Sequence, residues 1–531
     1  MKKIFTLVLL SVMAISLAGC SKYETLDTTI SGEIDIMLWS GDGSYQEDIG
    51  HQNLAPEDIT GQNNAAAYAV AKAFNEIYPN VQINIYAKAG DPDANEVSWQ
   101  QELENFKADH GKYPDVWAST DLVGDIARGL VADLSQFEDD PLYQSFNPAV
   151  MEMMNYYGFQ AGLPQYMVPW GVFVNKSLAE DNNIDMPDPM WSIDEYTDFI
   201  SEADMETFYG AVDVPVKFME SGTNVVVKQM VEYDGTGDFV NLNSDEMKDM
   251  LDYAHEWADY SVFPQFWAGN VDSSYIDANW WWGYKFFTDN SVLTLDGDPW
   301  MLGTAANANS WLPANFDFDY YPRPSTEYVE NHVGVVLDPM AVHNYAMDDG
   351  NPEMTDAEFE KTKLAYTFAA FWVGDTASWQ ARADQMYVPG EVAESSLNDS
   401  FPLVTGEEFD AQMDIWYSVT NHSALASEAQ FPGFHTVVDL WNEGKMWDVS
   451  DKAYPYWHEF EGAKRQNLYE WLQMGNDNVT GVQFTSDQFV DTIKGLLPTW
   501  NEDMNQRFEE SIQALKDGLI EFYQFEDKDF S

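Results

Sequence analysis

Glu33-Ile34-Asp35-Ile36-Met37-Leu38-Trp39 is the stretch that decides the fold. It alternates polar with apolar residues and then turns wholly apolar, as a strand entering a core does. A polar, glycine-containing loop follows, Ser40-Gly41-Asp42-Gly43-Ser44. From Ala65 to Tyr78 the apolar positions Ala66, Ala69, Val70, Ala73, Phe74 and Ile77 recur at helical spacing, and Pro79-Asn80 stops the helix. Val81, Ile83 and Ile85 alternate with polar residues as a second strand. Trp99 to His110 reads as another helix, stopped at Gly111, and Tyr113 to Ala118 as a third, buried strand. This β-α-β-α-β order predicts a parallel sheet with right-handed crossovers. The ligand side of such a sheet lies at the carboxyl ends of its strands, where Trp39, Ser40, Asp42, Ser119 and Asp121 fall.

Upstream, Met1-Lys2-Lys3 is followed by the apolar run Ile4 to Leu10 and then by Ser11 to Ser16. That is a charged n-region and an h-region, shorter than the roughly 20 residues a bilayer span needs. It ends in Leu17-Ala18-Gly19-Cys20, the pattern of small residues before a cysteine that lipoprotein signal peptidase reads. Residues 1–19 are therefore predicted to be a lipoprotein signal peptide, with Cys20 the lipidation site. Residues 20–31 are polar and unpatterned and suit a flexible tether between the lipid and the first strand. Cys20 is the only cysteine among 531 residues, which excludes an intrachain disulfide and a thiolate metal cluster.

Roughly 510 residues beyond the leader exceed what one hydrophobic core usually serves, so two or more domains are predicted. A hydrophobic content of 45% is enough to build sizeable cores. The formal charge of -65 repels nucleic acid and anionic lipid headgroups. The arginines are Arg128, Arg323, Arg382, Arg465 and Arg507, so the preferred fork for carboxylate or phosphate is scarce. A neutral or cationic ligand is favoured over an acidic one. The same acidity also fits solubility in a saline or otherwise demanding extracellular medium.

Farther along, Ser192 with Glu195 forms a capping box ahead of a helix. Asn243-Ser244 caps a helix carrying Met247, Met250, Leu251, Ala254 and Trp257, and residues 358–372 and 502–519 have helical periodicity. There is no internal repeat or low-complexity tract.

In order along the chain, several phrases resemble the family 1 extracellular solute-binding proteins of ABC importers, the maltodextrin-binding class. These are Ile36-Met37-Leu38-Trp39-Ser40 with Gly41-Asp42, Phe74-Asn75 through Tyr78-Pro79-Asn80-Val81, Pro114-Asp115-Val116, and Asp121 with Gly129 to Leu134. Gly162-Leu163-Pro164, Val174 to Leu178, Trp191 to Glu195, Asp296-Gly297-Asp298-Pro299-Trp300 and Tyr320 to Pro324 continue the series. The resemblance runs from about residue 33 to 380 and more loosely beyond, with insertions around 43–64 and within 380–500. It implies an α/β, two-lobed periplasmic-binding-protein-like fold of type II, with parallel sheets flanked by helices and crossing segments near 160–172 and 317–345. Residues 32–165 plus 317–378 would form the N-terminal lobe, and 166–316 plus 379–531 the C-terminal lobe. The ligand would lie in the cleft between them, with closure by hinge motion.

Sugars offer apolar C–H faces and rims of hydroxyls, so their sites use aromatic platforms and planar polar groups. This chain has 20 Trp. By the resemblance, loops bearing Trp39, Ser40, Asp42 and Asp121 would bond sugar hydroxyls, Gln165, Tyr166 and Trp170 would line the crossing segment, and Trp300 would stack on a sugar ring. Trp441, after Phe431-Pro432-Gly433-Phe434, resembles the family's C-terminal aromatic wall. In Trp280-Trp281-Trp282 the three rings cannot all enter one core, so one of them, with Trp281 the choice, is predicted to be exposed or on the ligand. Asp91, Asp93, Asn95 and Glu102 have the spacing of a calcium loop, although Glu96 stands where the sharp turn calls for Gly; the alternative is a polar loop before a helix.

Catalytic patterns are poor. His255-Glu256 lacks the second His of a zincin helix, and there is no Gly-x-Ser-x-Gly elbow or P-loop. With 90 acidic residues, carboxylate pairs carry little information about glycosidase chemistry. The sequence therefore predicts a monomeric, non-enzymatic, lipid-anchored receptor on the outer face of the plasma membrane, or in the periplasm. It would deliver an oligosaccharide to an ABC permease and needs no cofactor unless calcium binds. The rival readings are a SusD-like glycan-binding lipoprotein, which would be dominated by helical repeat pairs, and a lipid-anchored glycosidase or lyase.

Overall fold

A computed structural model describes residues 25–39, 61–88, 99–215, 218, 221, 241–272, 274, 287, 289–297, 316–348, 350–388, 393–420, 422–448, 452–453 and 485–530. The first unit follows the sequence pattern. Strand β1 (Ser31–Trp39) leads to helix α1 (Gln62–Ile77), β2 (Asn80–Lys88), α2 (Trp99–His110) and β3 (Val116–Ala118). β1 pairs in parallel with both β2 and β3, and Ile34, Ile36, Ile83, Ile85, Val116 and Trp117 are buried with hardly any exposure. The short helix α3 (Leu122–Ala127) follows at the carboxyl edge, capped by Asp121.

The chain then crosses the molecule in a long strand, β4 (Leu163–Asn175), and continues through α4 (Lys176–Asn182) and α5 (Ile193–Ser201). Ser192 and Glu195 form the predicted capping box of α5. Next come β5 (Tyr209–Ala211), α6 (Asp245–Tyr260), β6 (Val292–Gly297), β7 (Phe318–Tyr321) and a second crossing strand, β8 (Val333–Val342). Among the described residues one mixed sheet runs β2-β1-β3-β8-β4-β6-β5, with β7 also paired to β4. The antiparallel pair β4–β8 thus joins the parallel strands of the first unit to those of the second.

Helices α7 (Asp356–Gly374), α8 (Thr376–Asp384), α9 (Glu407–Ser418) and α10 (Pro432–Asn442) precede β9 (Met446–Asp448), which adds in parallel to β8. α7 is buried around most of its circumference and packs on β4 and β8, so it is a core helix. The last helix, α11 (Asp487–Tyr523), is longer than the predicted 502–519 because it runs on through Pro498. Its apolar stripe from Phe489 to Leu519 packs on α3 and α6, and that burial outweighs the backbone bond lost at the proline.

Candidate functional site

Among the described residues the crossing pair carries one half-buried patch, beside the part that α7 covers. β4 is buried along its length except at Val168 and Trp170, and β8 is buried except at Val336 and Asp338. Val168 stands opposite Val336, and Trp170 opposite Gly334, so these half-buried positions share one face. The ring of Trp170 is fixed by a chain of polar groups. Its indole N–H donates to Asp296 Oδ1 at 3.0 Å, and Arg323 Nη2 lies 3.3 Å from the same oxygen. Arg323 is wholly buried, donates from Nε to the Trp170 carbonyl at 3.4 Å, and rests its guanidinium 5.2 Å from the Phe218 ring.

Gly334 makes room for this chain. A methyl group at its Cα would come within 2.5 Å of Arg323 Nε and 2.7 Å of the Trp170 carbonyl oxygen. Gly171 is constrained in a similar way, since a Cβ there would meet the Tyr321 carbonyl oxygen at 2.4 Å. The Tyr320 hydroxyl accepts the Gly171 N–H and lies 2.9 Å from the Gly297 carbonyl, which ties β4, β6 and β7 together behind the face.

Toward the first unit the face ends in an ion pair between Lys452 and Asp338, whose side chains are 17% and 28% exposed. The Lys452 carbonyl accepts the Leu122 N–H at the start of α3, which puts this pair at the carboxyl edge of β3 beside Asp121. Asp338 with Lys452 and Asp296 with Arg323 leave this part of the face balanced in charge, in a chain of formal charge -65.

On the second unit, Asp213 follows the carboxyl end of β5 and is half-buried, and the neighbouring Val214 N–H donates to its carboxylate at 2.8 Å. Burial pushes its carboxyl up to about 8. At neutral pH it is therefore largely protonated and can donate as well as accept a hydrogen bond.

The predicted residues distribute unevenly around this face. Trp170 lies on it. Asp121 stands at its edge, where one carboxylate oxygen accepts the Gly124 N–H at 2.9 Å as a helix cap. Trp39 ends β1 at the carboxyl edge, opposite Lys88 of β2. Gln165 and Tyr166 are corrected: at 2% and 5% exposure their side chains lie beneath the surface rather than lining it. A β-bulge leaves Gln165 without a partner on β8, and the Tyr166 ring meets Trp372 of α7 edge-on at 6.1 Å.

Trp441 is also corrected. It is 0% exposed, bonded from its indole N–H to the Pro402 carbonyl and packed edge-on against Phe401, so it cannot stack on a sugar. Glu102 is buried in the first turn of α2. Cys20, Ser40, Asp42, Asp91, Asp93, Asn95, Trp281 and Trp300 lie outside the described residues. Among the described residues no group of three or more His, Cys, Asp or Glu is placed to hold a metal, and no helix is long and apolar enough to cross a membrane. Sequence reading missed Arg323, Asp338, Lys452 and Asp213 as members of the site.

No family model and no curated protein matches the chain. Solved structures do resemble it. An ABC substrate-binding protein from Listeria monocytogenes in complex with cycloalternan is 13% identical, with a TM-score of 0.54 over 88% of this chain and 99% of that one. The chain has the two-lobed substrate-binding-protein fold. A cyclic alpha-maltosyl-1,6-maltose binding protein from Arthrobacter globiformis shares this fold at 17% identity, with a TM-score of 0.56 over 90% of this chain and 99% of that one. So does a family 1 extracellular solute-binding protein from Alicyclobacillus acidocaldarius, at 12% identity and a TM-score of 0.54 over 89% and 100%. In this chain the pair β4–β8 joins the two sets of parallel strands, and Trp170 and Asp338 are half-buried on it. The helical repeat array of a SusD-like protein is a different architecture.

Proposed function

We propose that this protein is an extracellular, lipid-anchored receptor that takes a neutral oligosaccharide between its lobes and hands it to an ABC permease. The observation that carries the reading is the Trp170 ring, held by Asp296 on the half-buried crossing face beside a charge-balanced pair of ionic contacts. A flat indole suits the C–H face of a sugar, and Asp338 and Lys452 suit its hydroxyls. A neutral Asp213 on the opposing unit would bond hydroxyls from the other side. Contacts to both lobes would then shift the population toward a closed form that the permease recognises. Carbohydrate ligands of several proteins of the same fold, cycloalternan and maltotetraose among them, support this reading.

The lipobox ending at Cys20 supports anchoring at the outer face of the plasma membrane, or in the periplasm. The test is a thermal-shift screen of the purified protein against neutral oligosaccharides, with product analysis of every hit. A run with and without calcium examines the loop at Asp91, Asp93, Asn95 and Glu102. Saturable stabilisation without new products supports the receptor. Turnover would establish an enzyme instead.

A further inference from the structure

Arg382 of α8 is a buried cation without a carboxylate. It is 2% exposed, and among the described residues no acidic side chain lies within ion-pair distance. Its Nη2 donates to the Trp372 carbonyl at 3.4 Å, and the Trp379 ring covers one face of the guanidinium at 4.6 Å. Its Nε has no hydrogen-bond partner. Burial pulls the group down only to about 10, so it is charged at neutral pH. An isolated buried cation is among the most costly features a fold can contain, and native structures pair it.

Three further orphaned polar groups belong to side chains in the same cluster. Trp372 Nε1, the Tyr166 hydroxyl and Gln165 Nε2 are all buried without partners. The Tyr166 and Trp372 rings are in edge-on contact at 6.1 Å, and Arg382 is near enough for its charge to act on the Tyr166 phenol. The Gln165 amide sits beside that hydroxyl without reaching hydrogen-bond geometry. Asp338, on the strand opposite Tyr166, is already engaged by Lys452. Arg382 Nε and Trp372 Nε1 thus lack an acceptor, and the Gln165 amide and the Tyr166 hydroxyl have no partner but each other, where buried polar groups are normally satisfied.

We propose that a small inorganic anion of the halide class binds in this cluster, between the bulge of β4 and helices α7 and α8, as a structural ligand distinct from the sugar. A halide accepts several N–H bonds at once and supplies the counter-charge that no side chain provides. The bulge in β4 leaves Gln165 without a partner on β8, with its amide beside the Tyr166 hydroxyl.

The test compares melting of the purified protein in sodium chloride, sodium bromide and sodium gluconate at equal ionic strength, and locates bromide in crystals by anomalous scattering. The expected result is a bromide peak within hydrogen-bond reach of Arg382 Nε and Trp372 Nε1. Melting should rise by about 1 °C for each tenfold of halide above its Kd, relative to gluconate. Trp372→Phe, which keeps the ring and removes one donor, should weaken the halide dependence at least several-fold. Arg382→Met should abolish it. Equal melting in halide and gluconate, or ordered water alone at the cluster, would overturn the proposal even if Arg382→Met fails to fold.

Discussion

Replacing Gly334 by Ala probes the support of the Trp170 platform without touching the platform's surface. The added methyl would lie 2.5 Å from Arg323 Nε and 2.7 Å from the Trp170 carbonyl oxygen, both far inside contact distance. One of these neighbours is backbone, and β8 is held on both sides, by β4 and by β9, so the strand has no free edge toward which to move. The accommodation must come from the guanidinium, which shifts away from Asp296 and the Trp170 carbonyl. Overpacking of this kind costs about 1–3 kcal/mol. Because the same shift loosens the carboxylate that fixes the indole, oligosaccharide affinity should fall as well, by roughly tenfold for about 1.4 kcal/mol of lost positioning. The assay is urea denaturation paired with calorimetric titration. Gly518→Ala serves as the control, since its methyl would lie 2.6 Å from Ala127 Cα at the α11–α3 contact, away from the crossing face. The reasoning is refuted if Gly334→Ala is destabilised like the control yet keeps native affinity within twofold.

The remaining predictions use different readouts. Trp170→Ala should leave stability nearly unchanged and weaken sugar binding by about 1–3 kcal/mol, whereas Trp441→Ala should cost about 3–5 kcal/mol of stability and spare affinity in the folded fraction. His422 is buried flat against Trp416 at 3.7 Å, and burial lowers its imidazole to about 3, below the ordinary 6.5. Its contribution is complete above pH 6.5 and is lost as pH falls toward 3, so His422→Phe should lack a pH-dependent loss of about 5 kcal/mol that urea melts detect in the native chain. Asp213 has the opposite sign. Its raised carboxyl favours the folded state below pH 4 and loses that advantage as pH rises to about 8. Asp213→Asn should flatten the decline in melting temperature over that interval.

Local signals in the sequence carried the first unit well. The switch from alternating to helical spacing, with stops at Pro79 and Gly111, placed β1, α1, β2, α2 and β3 to within a few residues. Ser192 and Glu195 identified the start of α5 because a capping box is a contact over three residues. The site was less legible because it is made of contacts between distant segments. Trp170 lies on β4, Asp296 on β6 and Arg323 just beyond β7, and nothing local to Arg323 reveals that its partner is Asp296.

Gln165 and Tyr166 were misplaced for a related reason. A bulge on β4 and a covering helix from residues 356–374 decide which part of the crossing face is open. The burial of Trp441 is legible in its own helix. Gly433, Phe434, Val437, Leu440 and Trp441 recur at helical spacing on one stripe, and such a stripe faces a core.

The most direct test of the central claim is the structure of the protein crystallised with a neutral oligosaccharide that stabilises it. A sugar ring should lie flat on the Trp170 indole, with hydroxyls bonded to Asp338 or Lys452 and groups of the second unit closing over it. A sugar bound elsewhere, with the crossing face vacant or covered by protein, would contradict it.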